Sequence, residues 1–234
     1  MDEALLEGVR RGVSPPTLRL YAFTPSAVTM GRFQRAAEVV DLELADKLGV
    51  PVVRRITGGG AVYHDEFGEV TYSVMAPVDL FPGSILDSYR KICAGLVRAI
   101  SSLGLEAEFV PVNDVVVGGK KISGSAQVRR GTALLQHGTL MYATDLDTLA
   151  DLLRVPREKL AAHGVASIRE RVTTLSIELG RQVSRAEVEE AMISGFSEAL
   201  GVELEEGEPS EWELAEAERI ARERYRSPDW NLGR

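Results

Sequence analysis

The stretch RRITGGGAVYHD, from Arg54 to Asp65, constrains this chain more than any other. Glycine loses the most backbone freedom on ordering, so three in succession, Gly58 to Gly60, weaken any regular element that holds them. Yet VPVV (Val50–Val53) leads in and EVTYSV (Glu69–Val74) follows, and both read as strands. Without Cβ atoms, main-chain N–H groups can lie close against a ligand. Arg54 and Arg55, just upstream, carry the planar guanidinium suited to bidentate phosphate or carboxylate contacts. That context turns a flexible turn into a plausible cradle for an anion. Neither GxxxxGK[ST] nor GxGxxG occurs, so neither a P-loop nor a Rossmann site is indicated.

Composition narrows the alternatives. With 44% hydrophobic residues among 234, the chain can build a substantial core, which argues against wholesale disorder. Its formal net charge of −8 argues against a generic nucleic-acid binder, whose affinity rests on clustered Lys and Arg. A lone cysteine, Cys93, excludes an intrachain disulfide and a cysteine-based zinc cluster. The opening MDEALLEGVRRG lacks an apolar signal core, and nowhere do about 18 apolar residues run together. A cytoplasmic protein with no nucleic-acid or membrane partner is expected.

Along the chain the pattern is mixed. Helices are expected over Asp2–Arg11 and Gln34–Gly49, with TLRLYAF a strand between them. Behind Pro82–Ser84, Leu86, Tyr89, Cys93, Leu96 and Ile100 recur at helical spacing until Gly104. From Phe109 to Met141 the reading changes to three adjacent antiparallel strands, turning at Gly118–Gly119 and Arg129–Gly131. Were the second turn one residue longer, His137 would move to the other face of the sheet. Ser184 with Glu187, and Ser210 with Glu213, have capping-box spacing, and the first starts a helix with Val188, Met192 and Phe196 inward. No linker divides the chain. Residues 1–234 are therefore expected to form one α/β domain of the α+β type, a mixed, largely antiparallel sheet flanked by helices.

Few residue types are left to carry chemistry. In GGKKISGSAQ (Gly118–Gln127) two lysines follow a tight turn, and the strand beyond them is built from Ser123, Gly124, Ser125 and Ala126. A strand that needed only to pack would use larger residues, so something else fills the space above it. The histidines His64, His137 and His163 are far apart and form no HxxxH pair, against a structural metal. Cys93 lies on the apolar stripe of its helix, where a thiol is poorly ionised and inert.

These segments together resemble the lipoate–protein ligase family, within the group that also holds biotin–protein ligases. The resemblance runs through MDEALLEG, TMGRFQ, RRITGGGAVYHD, NDVVVGGKKISGSAQ, LQHGTL, KLAAHGVASIRERVTTL and YRSPDWN. It implies the fold of that group's catalytic domain and an ATP-dependent ligase. Lipoate would attack the α-phosphate of ATP to give lipoyl-adenylate, and a lysine on a lipoyl domain would then take the acyl group. By the same resemblance Gly58, Gly59 and Gly60 lie against the lipoyl tail, Thr57 borders that pocket and Arg55 addresses phosphate. Lys121 touches the acyl carbonyl and α-phosphate, and the backbone near Val62 and Tyr63 meets adenine. His64, His137, Gly138 and Thr139 flank the acyl group. Asn113 and Asp114 sit near the nucleotide, where Asp114 could hold Mg2+ bound with ATP. The segment Lys159–Leu175 resembles a loop that covers the adenylate.

The implied acceptors are lipoyl domains of 2-oxoacid dehydrogenase complexes or the glycine cleavage H protein. Because no accessory domain follows YRSPDWN, a separate small accessory protein is expected to supply that function. The nearest rival is an octanoyltransferase of the same fold, which passes octanoate from acyl carrier protein through a cysteine thioester. In its cysteine-dependent members the nucleophile lies shortly before the GKK hairpin, where this chain reads EFVPVNDVVV. That absence favours the ligase. A biotin ligase, a lipoyl-AMP-dependent transferase and a non-catalytic binder are weaker alternatives.

Overall fold

The apolar stripe behind Pro82–Ser84 folds as α4 (Ile85–Ser102), opened by a full capping box. Ser84 Oγ accepts from the Asp87 N–H while the Asp87 carboxylate accepts from the Ser84 N–H. In the computed structural model, which describes residues 1–155, 164 and 166–233, α4 crosses α8 (Arg185–Leu200) at two bare positions. A Cβ at Gly195 would lie 2.4 Å from the carbonyl oxygen of Gly95, and one at Gly95 would lie 2.4 Å from the ring of Phe196. Val188, Met192 and Phe196 are fully buried there, as their spacing predicts.

These helices cover one face of a six-stranded antiparallel sheet. Its order is β1 (Thr17–Tyr21), β5 (Glu69–Pro77), β9 (Ala133–Met141), β8 (Lys120–Arg130), β7 (Asp114–Val117) and β6 (Ala107–Val110). Residues directly opposite one another share a face and successive residues alternate. Tyr72, opposite Gly138, which is opposite Ser125, turns toward α4 and packs its ring on Phe196 at 5.1 Å. Thr71, Ser73, His137 and Thr139 therefore turn the other way. A smaller sheet, β3 (Val52–Arg54) parallel to β2 (Ala27–Met30) and β2 antiparallel to β4 (Val62–His64), faces them. The N-terminal helix α1 (Asp2–Arg11) packs Leu5, Leu6 and Val9 beside Met75 and Leu135. The expected mixed, largely antiparallel sheet flanked by helices is what forms.

Three expectations are corrected. The helix expected over Gln34–Gly49 is split into α2 (Ala36–Val39) and α3 (Leu42–Lys47). Val40 is extended between them and bridges to Leu153, and Asp41 restarts the helix by accepting from the Leu44 N–H. Tertiary pairing overrides helical propensity there. The meander has four strands, because β6 precedes the three expected. The glycine segment leads into β4 of the small sheet, not directly into β5. Register around His137 is fixed by a two-residue turn: Arg130 pairs with Ala133, and His137 falls opposite Ser73 and Ala126.

The remaining helices are α5 (Leu146–Leu152), α6 (Ile168–Arg171), α7 (Leu175–Leu179), α9 (Glu211–Ile220) and α10 (Pro228–Leu232). No helix among the described residues is long and apolar enough to cross a membrane. The helix crossing is directly testable. Gly195→Ala should lower unfolding stability by about 1–3 kcal/mol through overpacking, read from chemical denaturation, because its new methyl meets backbone rather than a side chain that can turn away.

Candidate functional site

Between the two sheets lies a cavity of about 760 Å³, a size suited to a small-molecule site. Its floor is the polar face of β5, β9 and β8, and its walls include the glycine segment, the start of α1 and α5.

The glycine segment is folded back on itself by Arg55. Arg55 Nη2 donates to the carbonyls of Gly58 at 2.7 Å and Gly60 at 2.8 Å, Nε donates to Thr57 Oγ1, and Nη1 donates to the Thr29 carbonyl. Burial lowers the Arg55 pKa to about 10. The glycines have a steric reason. Gly59 takes φ +98°, and a Cβ there would sit 2.8 Å from the Arg55 guanidinium. A Cβ on Gly31, in TMGRFQ, would collide with the Gly59 carbonyl at 2.1 Å. Arg54 does something else. It is 1% exposed, and its guanidinium donates to the carbonyls of Gly31, Arg32, Gln34, Trp230 and Asn231. The Trp230 indole N–H donates back to the Arg54 carbonyl. Arg54 thus ties α10 to the loop beside the site rather than cradling an anion.

Lys121 lies on the cavity floor. Its ammonium sits where a Cβ of Gly124 would be, 2.5 Å from that ideal position, and it pairs with Asp114 Oδ1 at 2.6 Å. Arg171 Nη2 pairs with Asp114 Oδ2 at 2.9 Å. Strand pairing places Asp114 opposite Gly124, and a bridge between Lys121 and Val172 brings Arg171 alongside. Both oxygens of Asp114 thus face cations. Among the described residues no group of three or more His, Cys, Asp or Glu is placed to hold a metal ion. The Mg2+ bound with ATP that the resemblance implies at Asp114 would have to share that carboxylate with both cations. Asn113 lines the cavity and donates from Nδ2 to the Ser125 carbonyl. Val62 lines the cavity; Tyr63, beside it in β4, also packs into the cluster around Leu149 and Met141.

The two described histidines stand in parallel chains. His137 Nε2 is 2.7 Å from Thr57 Oγ1 and its Nδ1 is 3.6 Å from Asp2. With the Asp2 carboxylate beside Nδ1 favouring the proton there, Nε2 of a neutral ring accepts from the Thr57 hydroxyl, which itself accepts from Arg55 Nε. Burial lowers the His137 pKa, in keeping with a neutral ring. Burial alone would raise the Asp2 carboxyl, but the neighbouring His137 imidazole and the charge of Arg19 outweigh it and leave it below the ordinary range. His64 sits between Thr29 at 2.9 Å and Glu69 at 2.6 Å. Gly138 turns the opposite way from His137, bare because the Tyr72 ring and the Ser125 hydroxyl fill its space. Thr139 lines the cavity floor.

Cys93 lies across the sheet from all of this. Its thiol approaches Ser125 Oγ at 3.6 Å on the helix-covered face, and burial pushes its pKa up to about 11.

Sequence reasoning missed Asp2, Thr29, Glu69 and Arg171 as site residues. Asp2, Thr29 and Arg171 lie in segments quoted for the resemblance, but nothing in the sequence separates Arg171 from Arg169, which pairs with exposed Asp147. His163 and most of Lys159–Ala166 lie outside the described residues.

The family model "Lipoyl protein ligase A/B catalytic domain" matches residues 1–197. Among curated proteins, octanoyltransferase LipM of Brevibacillus brevis is 36% identical over 100% of this chain and 93% of its own length. Octanoyltransferase LipM of Kyrpidia tusciae is 38% identical over 99% and 92%. Among solved structures, lipoate-protein ligase A bound with ATP superposes with a TM-score of 0.86 at 36% identity, covering 99% of this chain and 91% of that one. The bipartite lipoate protein ligase of Thermoplasma acidophilum, studied with its E2 lipoyl domain, gives 0.85 at 34% identity over 99% and 91%.

The curated relatives overturn the expectation of an ATP-dependent lipoate–protein ligase. They are named octanoyltransferases across the full chain.

The position of Cys93 predicts its reactivity. With its thiol pKa at about 11, the folded protein at pH 8 should react with a thiol-disulfide reagent at least 100-fold more slowly than the chain unfolded in guanidinium. Raising the pH toward 11 should narrow the gap, because thiolate forms as pH rises through the pKa. Rapid labelling of the native protein at pH 8 would contradict the buried placement.

Proposed function

The chain belongs to the lipoyl protein ligase A/B catalytic domain family, and we propose that it is an acyltransferase that moves an octanoyl-type group from a thioester onto a lysine of a lipoyl domain. The observation that supports acyl chemistry is the Lys121 ammonium laid over bare Gly124 on the cavity floor, and the curated relatives named octanoyltransferases favour a thioester donor.

The reaction needs an acyl carbonyl held over that floor. The acceptor lysine, as the free amine, attacks the carbonyl carbon and forms a C–N bond. The carbonyl electron pair moves to oxygen, and the resulting oxyanion lies against the Lys121 ammonium. As the pair returns, the C–S bond breaks. The departing thiolate takes up the proton released by nitrogen, leaving an amide and a thiol. A fixed cation beside the developing oxyanion favours the transition state over the ground state. Asp114 and Arg171 hold the cation in position, so little rearrangement is needed when charge develops. The buried Arg55 keeps the glycine wall in place.

Transfer in this reading is direct. The cysteine-dependent relatives use a thiol before the GKK hairpin, and the corresponding segment here has none. Cys93 is held on the opposite face of the sheet and does not line the cavity.

Two variants test the scheme. Lys121→Ala should lower transfer from octanoyl-acyl carrier protein to a lipoyl domain by a hundredfold or more, equivalent to about 3 kcal/mol, with an unchanged melting profile. Cys93→Ala should keep transfer within a few-fold of the unaltered chain. Intact-mass analysis of the acceptor reads both, without ATP and without any other protein. Acyl-thioester trapped on Cys93, or transfer seen only from free octanoate plus ATP, would overturn the reading. Supplying a separate accessory protein forms a further arm of the same assay.

A further inference from the structure

Two chains of carboxylate, imidazole and threonine stand beside Arg55, and they differ in where the threonine lies. Thr57, at the end of the chain through His137, is fully buried and is not among the residues lining the cavity. Thr29, at the end of the chain through His64, keeps 6% of its surface and lines it. Strand pairing sets this placement. Thr29 stands opposite Val53 on β3 and Val62 on β4, and both valines line the same cavity. His64, two residues beyond Val62 on β4, shares their face.

The parts have the arrangement of an activated hydroxyl. Glu69 Oε1 lies 2.6 Å from His64 Nδ1 and favours the proton there. Nε2 of the neutral ring, 2.9 Å from Thr29 Oγ1, is then left to accept from the hydroxyl. Stacking on Phe23, with ring centroids 4.1 Å apart, holds the ring in place. Arg55 Nη1 is directed at the same hydroxyl oxygen at 3.4 Å. A nucleophile, a base within reach of its proton, a carboxylate that orients the base and a cation beside the oxygen are therefore all present. The chain through His137 shows the purely bracing version of the same parts, because its threonine is sealed from the cavity.

We propose that Thr29 is a nucleophile that takes an acyl group from a thioester and, with His64, passes it to water, a thioester hydrolase activity beside transfer. The hydroxyl oxygen attacks the carbonyl carbon while its proton moves to His64 Nε2. The carbonyl pair moves to oxygen, with the Arg55 cation nearby, and then returns. The C–S bond breaks and the thiolate takes the proton from His64, leaving a threonine ester and a thiol. Water then adds to the ester carbonyl and gives a proton to His64. The bond from the carbonyl carbon to Oγ breaks as that proton returns to Oγ, which leaves a carboxylic acid and the free hydroxyl. Val53 and Val62, flanking the hydroxyl, suit an aliphatic acyl group. These steps use neither Lys121 nor an acceptor lysine, so they stand apart from the transfer reading.

The test gives S-octanoyl-pantetheine to the full chain, without a lipoyl domain and without ATP. Octanoate should be released about a hundredfold or more faster than in buffer. Release at the buffer rate would overturn the proposal. Thr29→Ser, which keeps the hydroxyl, should stay within a few-fold of the unaltered chain, whereas Thr29→Val, close in shape, should fall about a hundredfold or more. Equal release by a folded Thr29→Val protein would also overturn it. If that variant fails to fold, an alkyl fluorophosphonate on the unaltered chain decides, since attack by a hydroxyl displaces fluoride and leaves a stable label. Hydrolysis should disappear as the label accumulates on Thr29, read by peptide mapping, and loss of hydrolysis with the label elsewhere would count against Thr29. Run beside the transfer assay, hydrolysis without transfer would sink acyl transfer to lysine and keep the threonine site, whereas transfer without hydrolysis would do the reverse.

Discussion

A guanidinium buried without a carboxylate organises this site. Among the described residues Arg55 donates to main-chain carbonyls and threonine hydroxyls. Burial lowers its pKa, yet at about 10 it remains a cation at neutral pH. Carbonyl and hydroxyl dipoles must then balance the charge, so the chain has to bring several of them to one point. Three glycines make that possible: a side chain at Gly59 would meet the guanidinium, and Gly31 must be bare for the folded loop to approach. What reads in one dimension as a weak spot is, in the fold, a wall held from inside by its own arginine.

The second constraint is the two-sidedness of the central sheet. Alternation along β5, β8 and β9 sends Tyr72, Ser125 and Gly138 toward α4 and sends Thr71, His137 and Thr139 into the cavity. Each face has its own polar chemistry. Beneath the floor, Gln136 donates to Tyr72, whose hydroxyl is 2.7 Å from that of Ser125, with Cys93 at the edge of the cluster. Above it stand two carboxylate–imidazole–threonine chains, Asp2–His137–Thr57 and Glu69–His64–Thr29. Both threonines also accept from Arg55. The loop cation and the floor histidines are therefore one network, and the thiol belongs to another. A one-residue slip in β9 would exchange the two sets.

How much of this could be read in advance depended on whether the signal was local. The helix α4 and its core stripe follow from spacing and a capping box within a few residues. Lys121 and Gly124 share one short segment, so smallness beside a lysine could be noticed even though its cause, the ammonium over Gly124, is three-dimensional. The break at Val40 was not visible, because it is imposed by Leu153, far along the chain. Arg54 and Arg55 look alike in sequence and diverge completely. One points to the C-terminal helix, the other to its own glycine loop. Arg171 and Glu69 were missed for the same reason. The carboxylate beside Arg171 comes from β7 and the imidazole beside Glu69 from β4, and such meetings leave no mark on a sequence.

The choice between ligation and transfer turns on a general property of cations at carbonyls. An ammonium beside a developing oxyanion lowers the barrier whatever group departs, so Lys121 alone cannot distinguish an adenylate from a thioester. The distinction lies in how the leaving group is handled. Triphosphate chemistry draws on a divalent cation held by the phosphates with one or two carboxylates, whereas a thiolate leaves without one. Here the carboxylate nearest Lys121 is shared between two cations of the chain itself. Freeing Asp114 would strip Lys121 and Arg171 of their common counter-charge and loosen the cation on which acyl chemistry depends. In the proposed transfer the acyl group arrives already activated, and the ion pairs that place the ammonium need not be broken.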